Sequence, residues 1–226
     1  MAMFEMFVAR RYLRAKRKQV VLSVITAISV IGVAAGVLAA VRRGGPFDLA
    51  SLAVALVGIS LPSFVTAGVL LLVFAVQLPW FPIGGWRNPY ELFLPAVALS
   101  LLPMAYIARL TRVSMIDTLG SDYVRTARAK GLSRRKVIWK HCLRNAFLPV
   151  LTYLGPAAAY TLTGSFVVEK VFNVPGLGQH FINSVMNRDQ TLILGTVMIY
   201  SAFLLLLNLI VDVLYVFVDP RIDITK

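Results

Sequence analysis

Five apolar stretches, at about 20–41, 50–76, 94–115, 146–168 and 191–218, decide what this chain can fold into. Each approaches or exceeds the ~20 residues that an α-helix needs to cross the ~30 Å hydrocarbon core of a bilayer. Lipid demands that every backbone polar group be satisfied internally, and a helix does this. With 58% hydrophobic residues in 226, the chain reads as an integral membrane protein with no room for a large soluble domain. The expected fold is all-α, a polytopic membrane helical bundle of about five transmembrane helices.

Charge assigns the sides. The formal net charge is +13, but most basic residues fall in two clusters, at 10–18 and 109–144, both flanking apolar runs. That pattern is membrane-surface charge, not a groove that tracks nucleic-acid phosphates. Arg42 and Arg43 place the first short loop in the cytoplasm. The loop at 77–92 carries one arginine with Trp80, Phe81, Trp86 and Tyr90, an aromatic belt for the opposite interface. The segment at 117–145 returns to the cytoplasm. At 169–190, Lys170 and Arg188 are balanced by Glu169 and Asp189, so this loop is external. Arg221 and Lys226 put the C-terminal side inside. The first stretch conflicts with this scheme. Parity sends its N-terminal side outward, whereas Arg10, Arg11, Arg14, Lys16, Arg17 and Lys18 favour the cytoplasm. Either a preceding span is missing or 20–41 does not cross fully. We expect 20–41 to be helical and packed on the other spans, with its orientation poorly determined. The chain thus divides into a basic segment at 1–19, a transmembrane domain at 20–222 containing a cytoplasmic loop at 118–145, and a tail at 223–226.

The cytoplasmic stretch 122–149, DYVRTARAKGLSRRKVIWKHCLRNAFLP, is too long and too patterned for a plain connector. Ala127, Ala129 and Gly131 form a small-residue face that admits close approach of another surface. Gly131 suits a positive φ that ends a helix, and Ser133 is placed to cap the next one. Two short helices are expected, at 119–130 and 133–142. On the external side, Phe181, Ile182 and Val185 recur at helical spacing after Pro175-Gly176-Leu177-Gly178, which predicts a short amphipathic helix at the membrane surface.

Other features have plain readings. Pro62, Pro103 and Pro156 are structural helix prolines. Gly44-Gly45-Pro46 is a tight turn. Asp212 makes a structural pair near the cytoplasmic end of the last span, Arg109 and Arg112 snorkel, and Glu169 with Lys170 solvates an interface. His141, His180 and the single Cys142 show no ligand spacing and no catalytic partner, so no metal site and no catalytic residue is expected. Gly-Lys never occurs, which excludes a phosphate-binding loop. Any ATP consumed must bind another chain.

The segment Arg125-Thr126-Ala127, Gly131 and Ala146-Phe147-Leu148-Pro149 resembles the cytoplasmic "EAA" loop of importer-type ABC permeases, with Arg125 where the family opens on Glu and Ala146 where it has Ile. The dipeptide, oligopeptide and nickel permeases carry a form very like this one. Stretches at 36–44 (GVLAAVRRG), 58–64 (GISLPSF) and 171–178 (VFNVPGLG), then Asn187-Arg188-Asp189 and 218–222 (VDPRI), extend the resemblance over about 36–222. The terminal pattern is more similar to the first of that family's two permease subunits. The first 35 residues instead resemble the start of lipoprotein-releasing ABC permeases, so the chain reads as a junction of two families near 32–36.

This resemblance implies one half of a translocation pore in a bacterial inner membrane, importing short peptides or nickel by alternating access. Its implied partners are a second homologous permease subunit, two cytoplasmic ATPase subunits and an external solute-binding protein. No cofactor is expected on this chain, since ATP and Mg would sit on the ATPases. Arg125, Thr126, Ala127, Ala129, Gly131, Leu132, Arg134, Arg135, Leu148 and Pro149 would couple to the ATPase. Phe172, Pro175, Gly176, Gly178, Arg188 and Asp189 would border the external mouth and dock the binding protein. The alternatives are a fragment of a lipoprotein-releasing permease, or a truncated or chimeric permease without transport activity.

Overall fold

The computed structural model describes residues 16–163 and 166–218, and all regular structure among them is helical. Residues 1–15, the side chains of Lys16, Arg17 and Lys18, the Asp212 side chain with its expected pairing, and residues 219–226 lie outside the described residues.

Helix α1 (Lys16–Val41) lies along α4 (Pro89–Leu119) because glycine leaves it room. Gly32 and Gly36 are one turn apart on one face. A Cβ on Gly32 would fall 2.9 Å from the Met104 carbonyl oxygen. One on Gly36 would fall 2.5 Å from the Ala108 carbonyl oxygen and 2.7 Å from Thr111 Cβ. Small residues four apart are what let helix backbones approach in a membrane, where lipid removes the hydrophobic drive to associate. The first stretch is therefore helical and packed, as expected.

After Val41 the chain turns tightly. The Gly45 N–H donates to the Arg42 carbonyl at 3.0 Å, Gly44 takes φ +77°, and Pro46 opens α2 (Pro46–Ser60), where its missing N–H costs nothing. The stretch expected as one span at 50–76 is broken. Pro62 cannot donate to the helix and drives Leu61 to an extended conformation, so α2 and α3 (Ser63–Leu71, running on into a π turn at Leu72–Gln77) meet at 104°.

Helix α4 is the centre of the bundle. Glu91 accepts from the Arg87 and Asn88 N–H groups at 2.5 and 3.2 Å, and Pro89 sits in the first turn. Buried residues are spread along its length from Leu92 to Met115, and α1, α2, α3 and α8 (Leu148–Thr163) pack around it. Two buried clusters mark its ends. One gathers Leu94, Ala98 and Leu99 with Ala67, Ala75, Val168, Phe172 and Val174. The other gathers Met115 with Ala40, Val124, Ala127, Val137, Cys142 and Ala146. At about 1.5 Å per residue these ends are roughly 30 Å apart, the thickness of a bilayer core.

Among the described residues, three helices are long and apolar enough to cross a membrane: α1, α4 and α11 (Gln190–Val218). The bent α2–α3 pair makes a fourth if it is one span. Of the fifth expected span, at 146–168, the described residues 148–163 form α8 and residue 166 starts the next helix. Helix α11 packs on α8 and on α10 (Leu177–Met186). It leaves Leu194, Met198, Leu205 and Leu209 exposed, an apolar exterior that suits lipid.

Candidate functional site

At the Met115 end of α4 a compact segment projects from the bundle. Helix α4 stops at Leu119, and the Gly120 N–H bonds back to the Ile116 and Asp117 carbonyls at 3.2 Å. Helix α5 then runs over Asp122–Ala129, starting later than expected because residues 119–121 finish α4 and form its turn. Asp122 in the first turn and Arg128 in the last suit the helix dipole.

The end of α5 is a Schellman closure. Gly131 takes φ +79° and its N–H donates to the Arg128 carbonyl at 2.9 Å. The Leu132 N–H reaches the Ala127 carbonyl at 3.3 Å. Leu132 packs on the cluster that holds Ala127, the apolar contact that accompanies this motif. A Cβ on Gly131 would meet nothing within 4 Å, so backbone conformation requires glycine here and intramolecular crowding does not.

Ser133 occupies the expected N-cap position in an extended conformation, but its side chain makes no capping hydrogen bond. The second helix outruns its expected end. Helix α6 (Arg134–Lys136) passes through a π turn at Val137–Cys142 into α7 (Leu143–Ala146). In π register the bonds span five residues, which puts Val137 and Cys142 on one inward face and leaves Trp139 outward at 61% exposure. Burial pushes the Cys142 thiol upward in pKa, so it behaves as a small core group.

Ala127 is 6% exposed and packs with Val124, Val137 and Ala146, so it does not share an exposed small-residue face with Ala129 and Gly131. It supports the segment from behind. Thr126, Ala129, Gly131 and Pro149 are exposed, while Leu132 and Leu148 are half-buried. Arg125, Arg128, Lys130, Arg134, Arg135, Lys136 and Lys140 give the outer surface a strong positive charge. The Asp122–Arg125 pair, at 3.5 Å and largely exposed, neutralises little of it. Two bonds brace the segment: Asn145 Nδ2 donates to Tyr123 Oη at 2.9 Å, and Arg134 Nη2 donates to the Val41 carbonyl at the end of α1 at 3.3 Å.

At the opposite end of α4 the loops interlock. Helix α9 (Phe166–Val171) closes with Asn173 at φ +50°, with the Val174 N–H on the Glu169 carbonyl at 2.8 Å. Phe172 is fully buried, and its carbonyl accepts from the Gly85 N–H at 3.0 Å, joining this loop to the one before α4. Glu169 does more than solvate an interface. Its carboxylate accepts from the Gly178 N–H at 2.7 Å in the first turn of α10, and a Cβ at Gly178 would sit 2.6 Å from it. Burial pushes its pKa above the usual carboxylate range, and the Gly178 N–H partly offsets this.

The expected amphipathic helix is α10, with Phe181 and Ile182 half-buried and Val185 exposed. Arg188, at φ +57°, closes α10, and Asp189 Oδ1 caps α11 by accepting from the Leu192 N–H at 3.0 Å. Pro175 and the Arg188 side chain are exposed, Gly176 is half-buried and Gly178 is buried. Phe172 and Gly178 are therefore internal supports of this loop cluster.

The Asp48–Arg112 pair has no local signature in the sequence, and it corrects the reading of Arg112. Arg112 does not snorkel. It holds Asp48, in the first turn of α2, at 2.5 and 2.8 Å. A carboxylate just after Gly-Gly-Pro hints at a partner, but that partner lies 64 residues away, beyond any local pattern. The Gly32–Gly36 spacing was the visible signal for the α1–α4 seam.

Comparison with known proteins agrees with this architecture. The model of the family "Binding-protein-dependent transport system inner membrane component" matches residues 32–224. The dipeptide transport system permease protein DppB of Bacillus subtilis is 49% identical over 195 residues, covering 86% of this chain and 63% of the relative. The oligopeptide transport system permease protein OppB of Salmonella typhimurium is 48% identical, covering 85% and 64%. DppB of Lactococcus lactis is 42% identical, covering 86% and 64%. The chain thus spans a little under two thirds of the length of these relatives. A match over residues 32–224 at such identity makes this chain a member of the binding-protein-dependent transport system inner membrane component family, a multi-pass membrane protein.

Proposed function

We propose that this chain is one membrane-spanning subunit of an ATP-driven importer of short peptides in a bacterial inner membrane. The observation that carries this reading is the segment at 122–146. Its inner face is buried against the ends of α1 and α4, while its outer face is exposed, basic and closed by Gly131. A rigid projection of this kind suits a partner that pushes. In this reading two cytoplasmic ATPase subunits bind ATP and Mg, and one of them grips the outer face around Ala129, Gly131, Arg134 and Arg135. Their closure tilts the spans between inward- and outward-facing states. A second permease subunit completes the pore. An external solute-binding protein delivers peptide to the loop cluster around Pro175 and Arg188. The names of the relatives support peptides as the substrate class. This chain performs no chemical step.

The test is co-purification with the ATPase subunits of the same transport system. Gly131→Trp is expected to abolish their association while membrane insertion persists. Gly131→Asn, which tolerates a positive φ as Asn173 does, should retain association. Undiminished co-purification of the Trp variant would refute the dock.

A further inference from the structure

We propose that the Asp48–Arg112 pair is a coupling strut, which makes the α1–α2 corner and α4 move as one body when the cytoplasmic segment is pushed. This inference rests on the importer reading above and names the residues that would carry its motion.

The pair is built for rigidity. Arg112 Nε donates to Asp48 Oδ1 at 2.5 Å and Nη2 donates to Oδ2 at 2.8 Å. This two-pronged geometry fixes orientation as well as distance. Oδ2 also accepts from the Gly44 N–H at 2.8 Å, in the turn between α1 and α2. One carboxylate therefore clasps α2, the turn and α4. Asp48 is 2% exposed and the Arg112 side chain 18%, so water competes poorly for either. Removing one partner would leave the other charge buried without a counterion.

Its position gives the pair a task. Gly36 sits against Ala108, Thr111 and the Arg112 backbone, so α1 and α4 already touch at this level. Next to Gly36 and one turn beyond it, Val37 and Ala40 of α1, with Met115 of α4, pack on the inner face of α5–α7. Arg134 of the projecting segment bonds the Val41 carbonyl. A push on α5–α7 therefore reaches α1 and α4 directly. It reaches α2, whose far end carries the 104° bend at Pro62, through the packing of α2 on α1 and α4, the short turn and this ion pair, and of these the forked ion pair is the contact that fixes orientation. Without the strut the packing of α2 on α4 remains, but the orientation of the α1–α2 corner against α4 is free to slip.

The experiment reconstitutes the complete transporter in proteoliposomes and measures ATP hydrolysed per labelled tripeptide taken up. Wild type comes first, since absence of ATP-dependent uptake there would refute the importer reading and not the strut. Asp48→Asn keeps the shape and removes the charge. It is expected to assemble and hydrolyse ATP within about twofold of wild type, with uptake down about tenfold or more. Arg112→Lys keeps the charge and loses the fork, and its uptake per ATP should be intermediate. A merely structural pair would lower assembly, hydrolysis and uptake together, leaving the ratio unchanged. That result, unchanged uptake in both variants, or failure of both to assemble would each overturn the proposal.

Discussion

Glu169 and Gly178 show how one residue's environment sets its chemistry. The carboxylate lies at the start of α10, where the helix dipole favours an anion by about 0.3–1 kcal/mol. Burial opposes this, and the net direction is a raised pKa. The sign follows. A carboxyl raised in the folded state binds its proton more readily there, so its contribution is fully present below the ordinary carboxylate pKa. It is lost as pH rises through the folded-state value. Above the ordinary carboxylate pKa the group therefore costs stability. Gln offers the same acceptor to the Gly178 N–H without a charge. Thermal melts in detergent should therefore find Glu169→Gln at least as stable as wild type at neutral pH, with the difference shrinking on acidification. A clear loss at neutral pH would mean that the dipole outweighs burial. In sequence Glu169 belongs to a charged interface, and no local pattern shows that residues 169 and 178 meet.

At the scale of elements, the helix ends were more legible than the helix contacts. Gly131 marked the end of α5 because positive φ is a local demand that one residue type meets easily. The ends at Asn173 and Arg188 use the same closure with less suited residues, and no local rule singled them out. The π turn at Val137–Cys142 was invisible, since the core behind it decides the register. The bend at Pro62 shows in sequence only as another helix proline, because its size depends on the packing of both helices on α4. The α1–α4 seam makes a prediction whose sign depends on space alone. Gly36→Ala drives a methyl into the Ala108 carbonyl and should destabilise by about 1–3 kcal/mol. Gly195→Ala meets nothing within 4 Å in α11 and should be neutral or stabilising by up to about 1 kcal/mol. Melting of the two variants in detergent decides it, and equal effects would contradict the seam.

For the whole molecule, apolar length and charge were enough to read an all-α membrane bundle and to separate a basic end from an aromatic one. Span count was less legible, because α2–α3 bends at Pro62. The motifs of the sequence marked the right region for coupling but not its inner and outer faces. Ala127 and Ala129 look alike in sequence, yet one is core and the other surface. That difference gives the central claim its sharpest test. A photo-crosslinking amino acid would be placed at Ala129, at Arg135 or, as the opposite-end control, at Ile182, and irradiated in membranes that hold the assembled transporter. The account predicts crosslinks to an ATPase subunit from 129 and 135 and none from 182. Absence of ATPase crosslinks from both 129 and 135, in membranes where the complex hydrolyses ATP, would contradict it.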